Sequence, residues 1–275
     1  MKYIGDIDRL ARIAEALSAH ELDTIAYYRS HLAPRLAGTK NVKDRLTILF
    51  AIANSQRQGK GKDNKSLINA TARFCQGLEQ KIEDCKPLEA PEAHEEFLRW
   101  LCDIPGMEQK TANLFLKWVV MFDKDFELNS LDWQSWKSYL HVPFDRWVIK
   151  LMGKKYLAFC TETYDKDFVS ANGNPKYVSL GFDKEEYNKL QQELRDAMSQ
   201  QPRIILDTLW FVGSFFCAYY PIICENCWIK VECQNRQPAP DWGSVPTKSK
   251  EEVKQERTKK YRELQNQKNR LMNSI

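Results

Sequence analysis

No apolar run in this chain of 275 residues reaches the roughly 20 residues a bilayer-spanning helix needs. The opening Met1-Lys2-Tyr3-Ile4-Gly5-Asp6 lacks the apolar stretch of a secretory signal, so a cytoplasmic protein is expected, or a nuclear one in a cell with a nucleus. Without an export signal, eight cysteines argue against a disulfide framework. Strand-like alternation and internal repeats are also absent, which removes the sheet-based and solenoid architectures. A general basic excess is missing as well. From Ser244 to Ile275 there are nine Lys/Arg against four Asp/Glu, while the whole chain carries only +4, so the body before that tail is faintly acidic. Any nucleic acid must therefore be met by a local patch and not by bulk charge.

The remaining pattern is helical. Ile7, Leu10, Ile13 and Leu17 recur at helical spacing, as do Leu46, Leu49, Phe50 and Ala53. Phe97, Leu98 and Leu101 mark another apolar face. From Ala112 to Met121 the chain is apolar almost all round, which predicts a buried central helix. Residues 123–143 and 160–183 interrupt this pattern with turn formers and aromatics, including Trp133, Trp136, Tyr164 and Tyr177. Both are read as ordered insertions, with aromatics either stacking on a ligand or filling satellite cores. Beyond Cys233 come prolines and then a charged stretch, a solvated helix or a disordered tail.

Four of the cysteines are scattered: Cys75, Cys85, Cys102 and Cys160 read as small buried hydrophobes. The other four, Cys217, Cys224, Cys227 and Cys233, form C-x6-C-x2-C-x5-C. Thiolates this close in sequence can converge on one centre, either zinc or an iron–sulfur cluster. Zinc sites usually use two close pairs. Here one pair is flanked by single cysteines, among Phe211, Phe215, Phe216, Tyr219, Tyr220 and Trp228, which favours a [4Fe–4S] cluster shielded from water.

A second signal is Leu101-Cys102-Asp103-Ile104-Pro105-Gly106-Met107-Glu108-Gln109-Lys110-Thr111-Ala112. One amphipathic helix runs into Ile-Pro-Gly, turns sharply, and another begins. Gly106 can take the left-handed conformation of a tight turn. The free amides that follow can hold a phosphate without reading bases. Lys110 falls in the first turn, where the positive helix end opposes an ammonium. A neutral amine there is a nucleophile able to form a Schiff base, although a surface lysine at a helix start is common. Asp145 precedes Arg146-Trp147-Val148-Ile149, and reads both as a helix N-cap and as a carboxylate near Lys110.

In these residues the chain resembles the helix-hairpin-helix DNA glycosylase superfamily, in its iron–sulfur branch with endonuclease III and the adenine mismatch glycosylases. The run from Ile104-Pro105-Gly106 to Lys110-Thr111-Ala112 is similar to that family's hairpin Leu-Pro-Gly-Val-Gly-x-Lys-Thr-Ala. Asp145 and the cysteine spacing follow in the family's order, and Phe50 to Gln56 is similar to its early helix. The likeness covers roughly residues 40–235.

The resemblance implies an all-α fold of two helical domains flanking a DNA-binding cleft. One domain would comprise residues 1–40 and 144–235 with the cluster, the other residues 41–143 with the hairpin, and 236–275 would form the tail. It implies a monomeric glycosylase with AP lyase activity on double-stranded DNA carrying a damaged or modified base. Lys110 and Asp145 would be catalytic. Gln56, Gly106, Met107, Glu108 and Thr111 would contact DNA, and Cys217, Cys224, Cys227 and Cys233 would hold the cluster. Three features depart from the family pattern: Glu108 replaces the hairpin's second glycine, the cluster loop 218–223 lacks basic residues, and Lys110 and Asp145 are 35 positions apart. The alternative function is a monofunctional or non-catalytic lesion-sensing protein.

Overall fold

The computed structural model describes residues 4–56, 64–144, 146–153, 156–159, 184–198, 201–217 and 224–234. Their regular structure is helical, with no strand among the described residues. The helices are α1 (Ile7–Ser18), α2 (Glu21–Leu36), α3 (Val42–Ser55), α4 (Asn64–Cys85), α5 (Ala90–Asp103), α6 (Gln109–Phe122), α7 (Arg146–Met152), α8 (Lys184–Ala197) and α9 (Thr208–Val212). Short 3₁₀ turns cover Trp133–Trp136 and Arg203–Asp207, and a π turn, Gly213–Cys217, continues α9. The mostly helical, all-α expectation therefore holds.

Local chemistry explains the starts and stops. Asp6 caps α1 by accepting the Arg9 amide at 2.9 Å, and Asn41 caps α3 by accepting that of Asp44 at 2.8 Å. Pro91 sits in the first turn of α5, where a missing N–H costs nothing. In α1, Leu10, Ile13, Ala14 and Leu17 face inward, matching the periodicity. Leucine and isoleucine side chains such as Leu10, Ile13 and Leu17 stabilise by roughly 1.5–3 kcal/mol each when fully buried.

The interior divides into two apolar clusters. The first gathers α2 to α6 and the 3₁₀ turn at Trp133, with Phe50, Phe74, Phe97 and Phe115 at its heart. Phe50 and Phe74 stack at 4.1 Å, and Phe115 meets both edge-on. The second gathers α1, α7, α8, α9 and the cysteine segment, around Leu10, Val148, Leu190, Leu206 and Leu209. Half-buried Trp210 packs against both. In the second cluster Gly213 lies against the Trp147 ring; a Cβ there would come within 2.7 Å of ring carbons. The π turn and α7 can thus approach this closely only because the residue has no side chain.

α6 is buried on nearly every side, as its composition suggests. Lys117 lies on this helix, 3% exposed, paired with Asp207, 4% exposed, and 4.8 Å from the Tyr28 ring centre. This ion pair joins the helix at the centre of the first cluster to the start of α9 in the second.

The insertion at 123–143 is ordered, but its two tryptophans are core residues. Trp133 is wholly buried and Trp136 is 2% exposed, both edge-on to Phe97. Trp133 also donates its indole N–H to the Leu128 carbonyl at 2.7 Å. No base can stack on either ring. The insertion at 160–183 and the tail from 236 lie outside the described residues.

Candidate active site

The hairpin is built from the end of α5, a four-residue turn and the start of α6. Ile104 caps α5 and is buried; its carbonyl accepts the Met107 amide at 2.8 Å, closing the turn Ile104-Pro105-Gly106-Met107. Proline second and glycine third, with Gly106 at φ +83°, are what a type II turn requires. Met107 returns to the first core, 4% exposed. Glu108 then takes the extended N-cap conformation, its side chain exposed and making no capping bond. The amides of Gln109, Lys110 and Thr111 follow in the first turn, beyond the reach of the helix's own carbonyls.

The DNA-contact candidates thus fall into two groups. Gly106 is exposed in the turn, Glu108 at the N-cap of α6, and Gln56 at the C-cap of α3. The side chains of Met107 and Thr111 are buried, so only their backbones could serve a ligand. Lys110 is half-buried on the first turn of α6, with no carboxylate within salt-bridge distance among the described residues. Asp145 lies outside the described residues, so its separation from Lys110 is not part of the geometry.

One turn beyond Lys110 begins a buried polar frame that links α6, residues 139–142, α8 and Arg203. Asn113, one turn beyond Lys110, donates from Nδ2 to the Gln109 carbonyl at 2.8 Å and to the Tyr187 hydroxyl at 3.2 Å. Tyr187 donates in turn to the Val142 carbonyl at 3.2 Å. Gln191 holds both sides of Val142, accepting its amide at 3.0 Å and donating to its carbonyl at 2.8 Å. Arg203, 2% exposed, donates to the carbonyls of Leu140 at 2.8 Å, Tyr139 at 2.6 Å and Gln191 at 2.6 Å. These bonds fasten α6 and the segment ending three residues before Asp145 to the same face of α8.

Burial sets the protonation states of the frame. It pushes the Tyr187 phenol far up, which keeps the hydroxyl a donor. Burial, then the nearby Arg195, pushes Arg203 down to about 9. His94 and His141 lie alongside, with ring centres 5.8 Å apart. Burial, then Arg203 and Arg195, pushes His94 down to about 3, and burial followed by Arg203 lowers His141 well below the usual imidazole range. Both rings are therefore neutral near pH 7. Neither His94 Nε2 nor His141 Nδ1 has a hydrogen-bond partner among the described residues.

Sequence reasoning missed this frame. A signal was present, since Arg203 and Asp207 bracket the apolar Ile204-Ile205-Leu206, and Lys117 sits inside Leu114-Phe115-Leu116-Lys117-Trp118-Val119-Val120. A charge within such a run calls for a buried partner.

The cysteine segment begins where the π turn ends. Cys227 is buried, and Cys217, Cys224 and Cys233 are half-buried. The Cys227 amide donates to the Cys224 carbonyl at 3.2 Å, and its carbonyl accepts from Lys230, also at 3.2 Å. Burial pushes the Cys217 thiol up to about 12, and the three other thiols add to the rise. Cys227 is pushed to about 11, again by burial first, with Cys233 and Cys224 raising it further. Burial and neighbouring thiols thus act together against ionisation of Cys217 and Cys227. Such a donor set fits a cationic centre, which would relieve that repulsion and hold the thiolates. Still, no group of three or more Cys, His, Asp or Glu among the described residues is drawn together as a finished coordination shell. Around them His20, Trp228, Phe211 and Phe215 stack in succession, at 4.4, 4.8 and 4.1 Å between ring centres. No disulfide joins the described cysteines. Among the described residues, no helix is long and apolar enough to cross a membrane.

Comparison with family models, curated proteins and solved structures found no match to this chain.

Proposed function

We propose that this protein is a DNA N-glycosylase with AP lyase activity, acting on double-stranded DNA that carries a damaged or modified base. The observation that carries the reading is the helix–turn–helix at 90–122, with a type II turn at Pro105-Gly106 and Lys110 half-buried one residue into the new helix. The exposed turn would anchor the backbone beside the lesion, with the free amides of α6 as donors. The target nucleotide would be flipped out of the stack towards Lys110.

In the proposed reaction the Lys110 amine attacks C1′ of the sugar. The base leaves with the electron pair of the glycosidic bond and is protonated. Sugar-ring opening gives the imine between lysine and C1′. Loss of a C2′ proton then expels the 3′ phosphate and cuts the strand, and water releases the lysine. Asp145 would take the proton from the lysine and offset positive charge developing on the sugar. The frame of Asn113, Tyr187, Gln191 and Arg203 supports this assignment, because it ties the Lys110 helix and the approach to Asp145 to one element. Cys217, Cys224, Cys227 and Cys233 would hold a [4Fe–4S] cluster, which when bound braces the C-terminal segment.

A panel of duplexes, each carrying one modified base, tests the reading through the free base released. At least one duplex should lose its base with the wild-type protein and keep it with Lys110→Gln. If every duplex is bound but none loses its base, the non-catalytic lesion-sensing alternative takes over; the exposed carboxylate of Glu108 at the helix start is the feature that favours it.

A further inference from the structure

A cavity of about 260 Å³ opens beside the hairpin, lined by Lys65, Ser66, Asn69, Ala70 and Arg73 of α4 and by Pro105 of the turn. Lys65, Asn69 and Arg73 stand at i, i+4 and i+8, so one face of α4 presents two cations with an amide between them. All three side chains are exposed.

Neighbouring cations are neutralised by carboxylates. Lys43 meets Glu79 at 3.2 Å, Lys81 meets Glu96 at 2.8 Å, and Lys86 meets Glu83 at 2.6 Å. Lys65 and Arg73 have no carboxylate within salt-bridge distance among the described residues. Two charges on one wall of a groove, with donors between them and no acid among its described lining residues, suit an anion with several acceptor oxygens. The hairpin itself is less hospitable, because Glu108 puts a carboxylate at the start of α6.

We propose that this groove seats a backbone phosphate of duplex DNA, next to the one the turn would hold. The inference rests on the proposed function and assigns it a second anchor. Lys65 and Arg73 supply the charge, Asn69 and Ser66 supply neutral donors, and Pro105 sets the depth. The contact is blind to sequence, since phosphates position DNA and bases specify it.

The test is fluorescence anisotropy of the full chain with a labelled duplex containing a stable abasic analogue, followed from about 50 to 200 mM salt. Lys65→Ala/Arg73→Ala should weaken binding about tenfold and lower the slope of log affinity against log salt by about one. Lys65→Arg/Arg73→Lys keeps both charges and should recover the slope. Both positions are exposed, so unchanged melting temperatures should accompany these effects. If the alanine pair binds with wild-type affinity and slope, the groove proposal is overturned by itself. If the charge-preserving pair fails to recover the slope, it is likewise overturned. If the wild-type protein binds no duplex at all, the parent reading falls together with it.

Discussion

His94, buried, and His141, half-buried, lie as neutral rings beside Arg203, and this couples stability to pH. In the unfolded chain an imidazole titrates near 6.5, whereas folded His94 stays neutral down to about 3 and His141 is lowered in the same direction. Below pH 6.5 the unfolded state therefore binds more protons. Their contribution is fully present above that pH and is lost progressively as pH falls. Each histidine should remove up to about 1.4 kcal/mol per pH unit in that window. Urea denaturation at pH 7 and pH 5 should show this loss, and His94→Gln should reduce it. An equal pH dependence in that variant would show that His94 does not contribute. At the same scale, legibility was uneven. Lys110, Gly106 and the four clustered cysteines stood out because their spacing is local. Tyr187, Gln191 and Arg203 did not, because their bonds to residues 139–142 span tens of positions and no pattern in one segment encodes them.

Among the elements, the helix–turn–helix at 90–122 was the most readable, since Pro-Gly dictates its turn and the switch in apolar face marks both helices. The insertion at 123–143 was the least readable. Its tryptophans have the composition of a stacking surface, but Phe97 and the buried Leu128 carbonyl place them in the core. Aromatic content cannot separate these outcomes, because both bury rings and only the partner differs. The cysteine segment gives a prediction for an element. Purified without oxygen, the protein should be brown, with about four irons per chain. Cys227→Ser should lose the colour and lower the melting temperature. A colourless protein with stoichiometric zinc would replace the iron–sulfur assignment by a zinc site.

At the scale of the molecule, the two apolar clusters of the described residues are joined by polar bonds. Lys117–Asp207 and the Arg203 bonds cross the seam, with Asn113–Tyr187 beside them and Trp210 touching both sides. A hydrophobic seam would tolerate sliding, whereas buried charged and hydrogen-bonded pairs hold one register, because shifting them strands their partners. Asp207→Asn leaves the Lys117 ammonium buried without its counter-charge and should cost about 3–5 kcal/mol in urea denaturation. Lys117→Met/Asp207→Leu removes both charges and should be far less costly. Equal losses in the two variants would show that volume, and not charge, governs the seam.

The central claim is that Lys110 acts as the amine of a glycosylase–lyase, and sodium borohydride trapping on a duplex with an abasic site tests it most directly. Reduction fixes an imine between protein and sugar as a stable amine, so a trapped complex reports the covalent step without requiring the identity of the excised base. The wild-type protein should give a protein–DNA adduct, and peptide mapping should place it on Lys110. Lys110→Gln should give none while still binding the duplex. Full trapping in Lys110→Gln, or an adduct mapped to another amine, would contradict the account.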